Sequence, residues 1–280
     1  MQYLSSRVGP QLVSESSTPG TFVAAAGLTE MAGWMAHDAG RDEVAARHFQ
    51  RALNLAYAGG GGALTAQAWA SRAHLSLHRG ETAAALVAAE QAWRHLDGGE
   101  DVALRGRILA MRTRAHAANG DAAHSRSSLA QAERLLTSAS SASASDWTSP
   151  FDLGSLASEA ARSMCDIGDY TAAAEHARHA LELRTPDRVR ARSLASLTLA
   201  RALVGQRRID EASAVAQRVG HATAGVGSLV VTGQLHHVVE TLAPYSSVNG
   251  VGTVLAELRG VLTRHQGMYH WLGDEDRKGA

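Results

Sequence analysis

Four glycines, Gly40, Gly80, Gly120 and Gly168, each stand at the head of one downstream pattern of small residues. Gly40 is followed at offsets of five, nine and twelve by Ala45, Phe49 and Ala52. Gly80 leads in the same way to Ala85, Ala89 and Ala92, and Gly168 to Ala173, Ala177 and Ala180. Gly120 keeps the register more weakly, with Ser125, Leu129 and Ala132, and at Gly205 two extra residues intervene before Ala212, Ala216 and Val219. Steps of four and three return to one face of a helix, so each set predicts a small-residue stripe on a helix that begins just past the glycine. The glycine supplies the positive φ that ends a preceding helix. Each unit therefore reads as helix, tight turn, helix. Such a hairpin cannot bury its apolar face alone, so five in succession argue for stacking into an array.

Composition agrees. Apolar residues make up 45% of the chain but aromatics only 5%, which suits closely packed helices better than sheets. Basic and acidic residues balance at 27 each, so the chain lacks the overall positive field of a self-sufficient nucleic-acid binder. Every basic residue but Lys278 is arginine, which with the alanine and glycine excess reads as the coding bias of a high-GC bacterium. Cys165 stands alone, so no intrachain disulfide forms and a reducing compartment fits. The chain does not open on a charged-then-apolar leader, and it holds no apolar run of about 18 residues. The expectation is a cytoplasmic protein with no membrane partner.

The chain divides on this reading into an N-terminal arm (1–21), three repeats (22–136), a Ser/Ala-rich loop (137–149), repeats four to six (150–266) and a tail (267–280). The glycine run at 59–62 reads as a flexible joint between the first two repeats.

The pattern resembles the tetratricopeptide repeat, whose turn glycine and second-helix alanines match Gly40, Ala45, Ala52 and their counterparts. Trp69, eleven before Gly80, stands in that family's first-helix aromatic place, and Gly33, seven before Gly40, in its small-residue place. The tyrosine expected four before each turn is replaced by Ala36, Ser76, His116 and Met164. The resemblance implies an all-α, tetratricopeptide-like helical-hairpin solenoid wound as a right-handed superhelix, with the first helix of each hairpin lining the concave side. Carried over by distance from each turn glycine, the inward set is Glu30, Trp34, His37 and Asp38, then Gln67, His74 and His78, then Arg107 and Arg114. The fourth repeat adds Ser155, Ser158, Arg162, Cys165 and Asp166, and the fifth Arg192 and Leu199. One large aromatic among histidines and arginines suits an extended peptide or an amphiphilic small molecule carrying a carboxylate, because guanidinium forks hold carboxylates with two bonds. The competing reading leaves these residues facing water in an unused groove.

Other chemistry is weakly signalled. His74 and His78 have the i, i+4 spacing of two metal ligands, but no HExxH or cysteine cluster accompanies them, and His176/His179 and His236/His237 are no better supported, so the expectation is no metal and no cofactor. Cys165 would act as a nucleophile only with a histidine in reach. The chain has no GxSxG, P-loop or dinucleotide-binding glycine motif, which makes enzymatic activity the weaker hypothesis. Seven arginines between Arg184 and Arg208 create a local basic field, but no aromatic stacking partner lies in that stretch.

Three longer stretches, residues 22–56 around AGWMAHDAG, 147–181 and 242–258, resemble the C-terminal sensor region of bacterial helix-turn-helix transcriptional regulators with tetratricopeptide repeats. In that family a small N-terminal domain binds DNA while the repeats oligomerise or receive a signal. About 20 residues precede the first repeat here, too few for a reader domain of roughly 55–65 residues, so no direct nucleic-acid binding is assigned to this chain. The resemblance implies a homodimeric regulatory domain that senses a peptide or small-molecule ligand in its groove. The alternatives are a scaffold for a protein partner and a biosynthetic-pathway enzyme using Asp38, His37, His74 and Cys165.

Overall fold

A computed structural model describes residues 18–96, 101–138, 150–223 and 228–274, with side chains up to residue 267. Its described residues form twelve α-helices, one short 3₁₀ turn and no strand. No described helix is long and apolar enough to cross a membrane. The chain separates into two compact units, Met1–Ile167 and Gly168–Ala280.

The first unit holds α1 (Pro19–Asp38), α2 (Asp42–Ala58), α3 (Gly62–His78), α4 (Thr82–Arg94), α5 (Val102–Ala118), α6 (Ala122–Ser138) and α7 (Leu153–Ile167). They pack as neighbouring pairs, α1 with α2, α3 with α4 and α5 with α6. The odd-numbered helices also touch in succession, α1 with α3, α3 with α5 and α5 with α7, so their side chains meet in one layer.

Local chemistry explains where these helices start and stop. Thr18 caps α1 in a reciprocal box with Thr21, Pro19 sits where its missing N–H costs nothing, and the Asp101 carboxylate accepts from Leu104 N to start α5. At Gly40 (φ 69°) the glycine N–H donates to His37 O and Arg41 N–H to Ala36 O, the paired bonds of a helix-stop motif. The same pair recurs at Gly80 and Gly120. It also recurs at Gly60, where Gly60 N donates to Tyr57 O and Gly61 N to Ala56 O. The glycine run is therefore a hydrogen-bonded turn of the same kind as the others and not a loose joint.

The stripes pack as their spacing requires. Ala45, Phe49 and Ala52 are buried, as are Ala85, Ala89 and Ala92, then Ser125, Leu129 and Ala132. Gly33 makes room for the largest of these: a Cβ there would lie 2.5 Å from Phe49 Cε1. Trp69 keeps its half-buried place by donating from Nε1 to Tyr57 Oη at 3.1 Å, with the Arg72 guanidinium 4.7 Å from its ring centre.

The second unit holds α8 (Tyr170–Glu182), α9 (Val189–Gly205), α10 (Ile209–Ala222), α11 (Leu229–Leu242) and α12 (Val251–Asp274), with the 3₁₀ turn at Ala243–Tyr245. Ala173, Ala177 and Ala180 are buried along α8. The turn between α9 and α10 corrects the reading at Gly205. The residue with positive φ is Arg207 (φ 63°), and the stop bonds run from Arg207 N to Val204 O and from Arg208 N to Leu203 O. Counted from Arg207, Ala212, Ala216 and Val219 fall at five, nine and twelve, so the register is unbroken and the turn has simply lost its glycine. Gly205 serves packing instead: a Cβ there would lie 2.4 Å from Cγ of Tyr170. Arg207→Gly relieves the left-handed strain but loses the Arg207 Nη1 donation to Tyr245 Oη. The expected net gain is about 0.5–1 kcal/mol, read as a rise of roughly 1–4 °C in melting temperature by calorimetry. A fall would show that the tyrosine contact outweighs the strain.

The helix α12 runs on to Asp274, through much of the segment expected as a tail. Residues 1–17 of the expected arm, 139–149 of the Ser/Ala-rich loop and 275–280 lie outside the described residues.

Candidate functional site

The layer of odd-numbered helices in the first unit carries a continuous polar network. At one end is Glu30 on α1, buried, whose carboxylate accepts three hydrogen bonds: from Trp34 Nε1 at 2.9 Å, Gln67 Nε2 at 2.7 Å and Ser71 Oγ at 2.5 Å. Arg107 on α5 donates to Ser71 Oγ at 3.2 Å and lays its guanidinium 5.2 Å from the Trp34 ring centre. Three donors on one carboxylate explain why an acid tolerates this burial, since each lone pair taken from water is returned by a fixed N–H or O–H.

The indole of Trp34 is the hinge between this end and the rest. Phe49 packs edge-on against it at 5.4 Å and His74 at 4.9 Å between ring centres. His37 meets His74 at 5.5 Å and His78 at 4.7 Å, both near perpendicular. Beyond His74 lie Arg114 on α5 and Glu159 with Arg162 on α7. Glu159 Oε2 sits 3.2 Å from Arg114 Nη1, and Oε1 3.4 Å from Arg162 Nη1.

Charge sets the protonation states. Burial, together with the neighbouring Arg114 and Arg162 and then His37 and Arg107, pushes His74 well below the ordinary histidine range, so its imidazole is neutral. Burial alone would raise the Glu159 carboxyl, but Arg162, Arg114 and Arg107 outweigh it and hold the group below its ordinary value. Burial also lowers Arg107, against the opposing pull of Glu30 and Glu159. Arg114 Nε and His37 Nε2, both buried, lack a hydrogen-bond partner among the described residues, and Glu159 Oε2 has only its ion pair with Arg114. Unmatched nitrogens on a partly aromatic wall that carries Arg107, Arg114 and Arg162 against Glu30 and Glu159 are what a polar ligand would complete.

The structure thus brings Glu30, Trp34, His37, Gln67, His74, His78, Arg107, Arg114 and Arg162 into one region. Asp38 is half-buried at the end of α1, and Ser155 lies in the first turn of α7, its N–H held by Asp152. Ser158 returns its hydroxyl to Gly154 O, within its own helix. Cys165 is 3% exposed and belongs to the core, while Asp166 is exposed. In the second unit Leu199 is buried, and Arg192 donates to Leu181 O and Arg184 O, closing the end of α8.

Three members were missed by sequence reasoning: Ser71, Glu159 and Asp42, whose carboxylate lies 2.8 Å from His37 Nδ1. Glu159 was within reach, because arginines six residues before two successive turn glycines, Arg114 and Arg162, call for a counter-charge, and Glu159 is one helical turn before Arg162. Ser71 and Asp42 carry no such signal.

No protein-family model matches the chain, and a search of curated proteins finds none similar to it.

Proposed function

We propose that the chain is a tetratricopeptide-like repeat domain that receives a carboxylate-bearing ligand, a peptide end or an amphiphilic small molecule, against the Trp34–His74–Arg114 wall of its first unit. Its role on this reading is regulatory, as in the sensor regions of transcriptional regulators that it resembles, in the cytoplasm of a high-GC bacterium and as a homodimer. DNA reading falls to another domain or partner. Paired helices joined by a recurring helix-stop turn support the repeat assignment.

The observation that carries the ligand reading is the buried Arg114 Nε without an acceptor, beside a histidine kept neutral and the face-providing indole of Trp34. An ionised carboxylate would take the guanidinium donor, and its apolar body would lie against the rings.

Thermal unfolding in the presence of fractionated peptide and metabolite pools tests the proposal. A ligand at about a hundredfold its Kd adds about 2.7 kcal/mol, which for a protein of this size raises the melting temperature by roughly 5–10 °C. Arg114→Lys, which keeps the charge but loses the planar fork, is expected to remove most of that shift with the helical content unchanged. No shift from any pool, or one that survives both Arg114→Lys and Trp34→Ala, would discard the reading.

A further inference from the structure

We propose that His37, Asp42 and His78 form a binding site for one divalent transition-metal ion of the Zn²⁺ class, at the turn end of the first two helical pairs. The site shares His37 and His78 with the region described above but does not depend on the ligand reading.

The sequence offers His74 and His78 as an i, i+4 pair, but the fold uses them differently. His74 turns into the polar network, while His78, the last residue of α3, meets the end of α1 and the start of α2. His37 Nδ1 lies 2.8 Å from Asp42 Oδ1, and His78 Nε2 lies 3.5 Å from Asp42 Oδ2. One ligand atom from each residue falls within 4.8 Å of the other two. A tetrahedral ion with bonds of about 2.1 Å needs ligand atoms about 3.4 Å apart, and the two histidine nitrogens approach the Asp42 carboxylate, each at its own oxygen, at 2.8 and 3.5 Å. The two imidazole rings are nearly perpendicular, 85°, and do not stack against each other.

Two imidazoles and one carboxylate, with a remaining position for water, are a donor set that suits zinc and its neighbours. Access is graded: the side chain of His37 is 2% exposed, Asp42 26% and His78 34%, so an ion enters from the His78 side and finds one ligand already fixed. The field also helps. Two helix C-termini, those of α1 and α3, point their carbonyl ends at the site against the single N-terminus of α2. Coordination through His37 Nδ1 leaves that ring's proton on Nε2, which is buried among the rings of Trp34, His74 and His78.

A second cluster, His116, Asp121 and His124, has the same composition but is more exposed and has its carboxylate engaged at a helix start. Its two imidazoles stack at 23°, a single oxygen of Asp121 faces both, and the other oxygen accepts the backbone N–H of His124 at the start of α6. In the first cluster each Asp42 oxygen faces a different histidine.

The test uses the full chain, stripped with chelator and titrated with Zn²⁺ by calorimetry and with Co²⁺ by visible absorption. The expected result is stoichiometric uptake of Zn²⁺ at micromolar Kd, with the intense d–d bands of four-coordinate Co²⁺. His78→Ala and Asp42→Asn should each lose one ion, or weaken it by roughly 100-fold, while His124→Ala keeps it. His78 is exposed enough that its variant retains the helical circular dichroism of the parent, and Asp42→Asn keeps the acceptor oxygen that faces His37. Absence of stoichiometric uptake, uptake untouched by His78→Ala, or uptake lost in His124→Ala alone would each overturn the site and leave a hydrogen-bonded His–Asp–His brace.

Discussion

Replacing Glu30 by alanine is expected to cost the first unit about 3–5 kcal/mol, the largest effect of any single polar substitution in the network. The substitution removes one acceptor group but orphans the Trp34 indole N–H, the Gln67 amide and the Ser71 hydroxyl together. It also deprives Arg107 of a nearby carboxylate that favours its charged state. Against a total of about 5–15 kcal/mol for an ordinary domain, such a loss approaches unfolding. Glu30→Gln should cost less, because one oxygen still accepts while the new amide faces donors. Urea denaturation followed by far-UV circular dichroism and tryptophan emission measures both. A loss under about 1 kcal/mol for alanine would mean that water replaces the carboxylate and that the network is not closed.

Glu159→Gln should come second, at about 3 kcal/mol, by leaving the Arg114 and Arg162 guanidiniums without their shared anion. Glu159 is 13% exposed, so little solvent screening softens the change. The pH dependence has a definite sign. Its carboxyl is held below its ordinary value in the folded chain, so the unfolded chain binds the proton more readily. Its contribution is therefore complete above the unfolded value of about 4.3 and disappears as pH falls through the lower folded value. Melting curves of parent and variant should lie well apart near neutrality and converge in acid. Parallel curves across the acid range would show that Glu159 does not carry the linkage.

Much of the backbone plan was legible because it depends on local chemistry. Gly40, Gly80 and Gly120 stop helices where their spacing said they would, and the alanine stripes after them are buried. Arg207 escaped because a left-handed turn without glycine leaves no mark in the sequence; only the unbroken count to Ala212 betrayed it. The run at 59–62 was misread because four glycines look loose, whereas the bonds from Gly60 and Gly61 close a standard helix stop. At the site, Trp34, His74, Arg114 and Arg162 share one distance from their turns, so a repeating geometry delivers them to one wall. Asp42 was invisible for the opposite reason. It begins a second helix, and its approach to His78 is set by how α2 and α3 pack, which no periodicity encodes.

The solitary thiol of Cys165 lies shut inside α7, within the same unit as the polar network. Alkylating reagents reach it only while that helix is lifted from its neighbours. Reaction speed, divided by that of an accessible thiol, gives the opening equilibrium without a mutation or a dye. A bound ligand that steadies this unit would announce itself as slower modification of a sulfur atom it never touches.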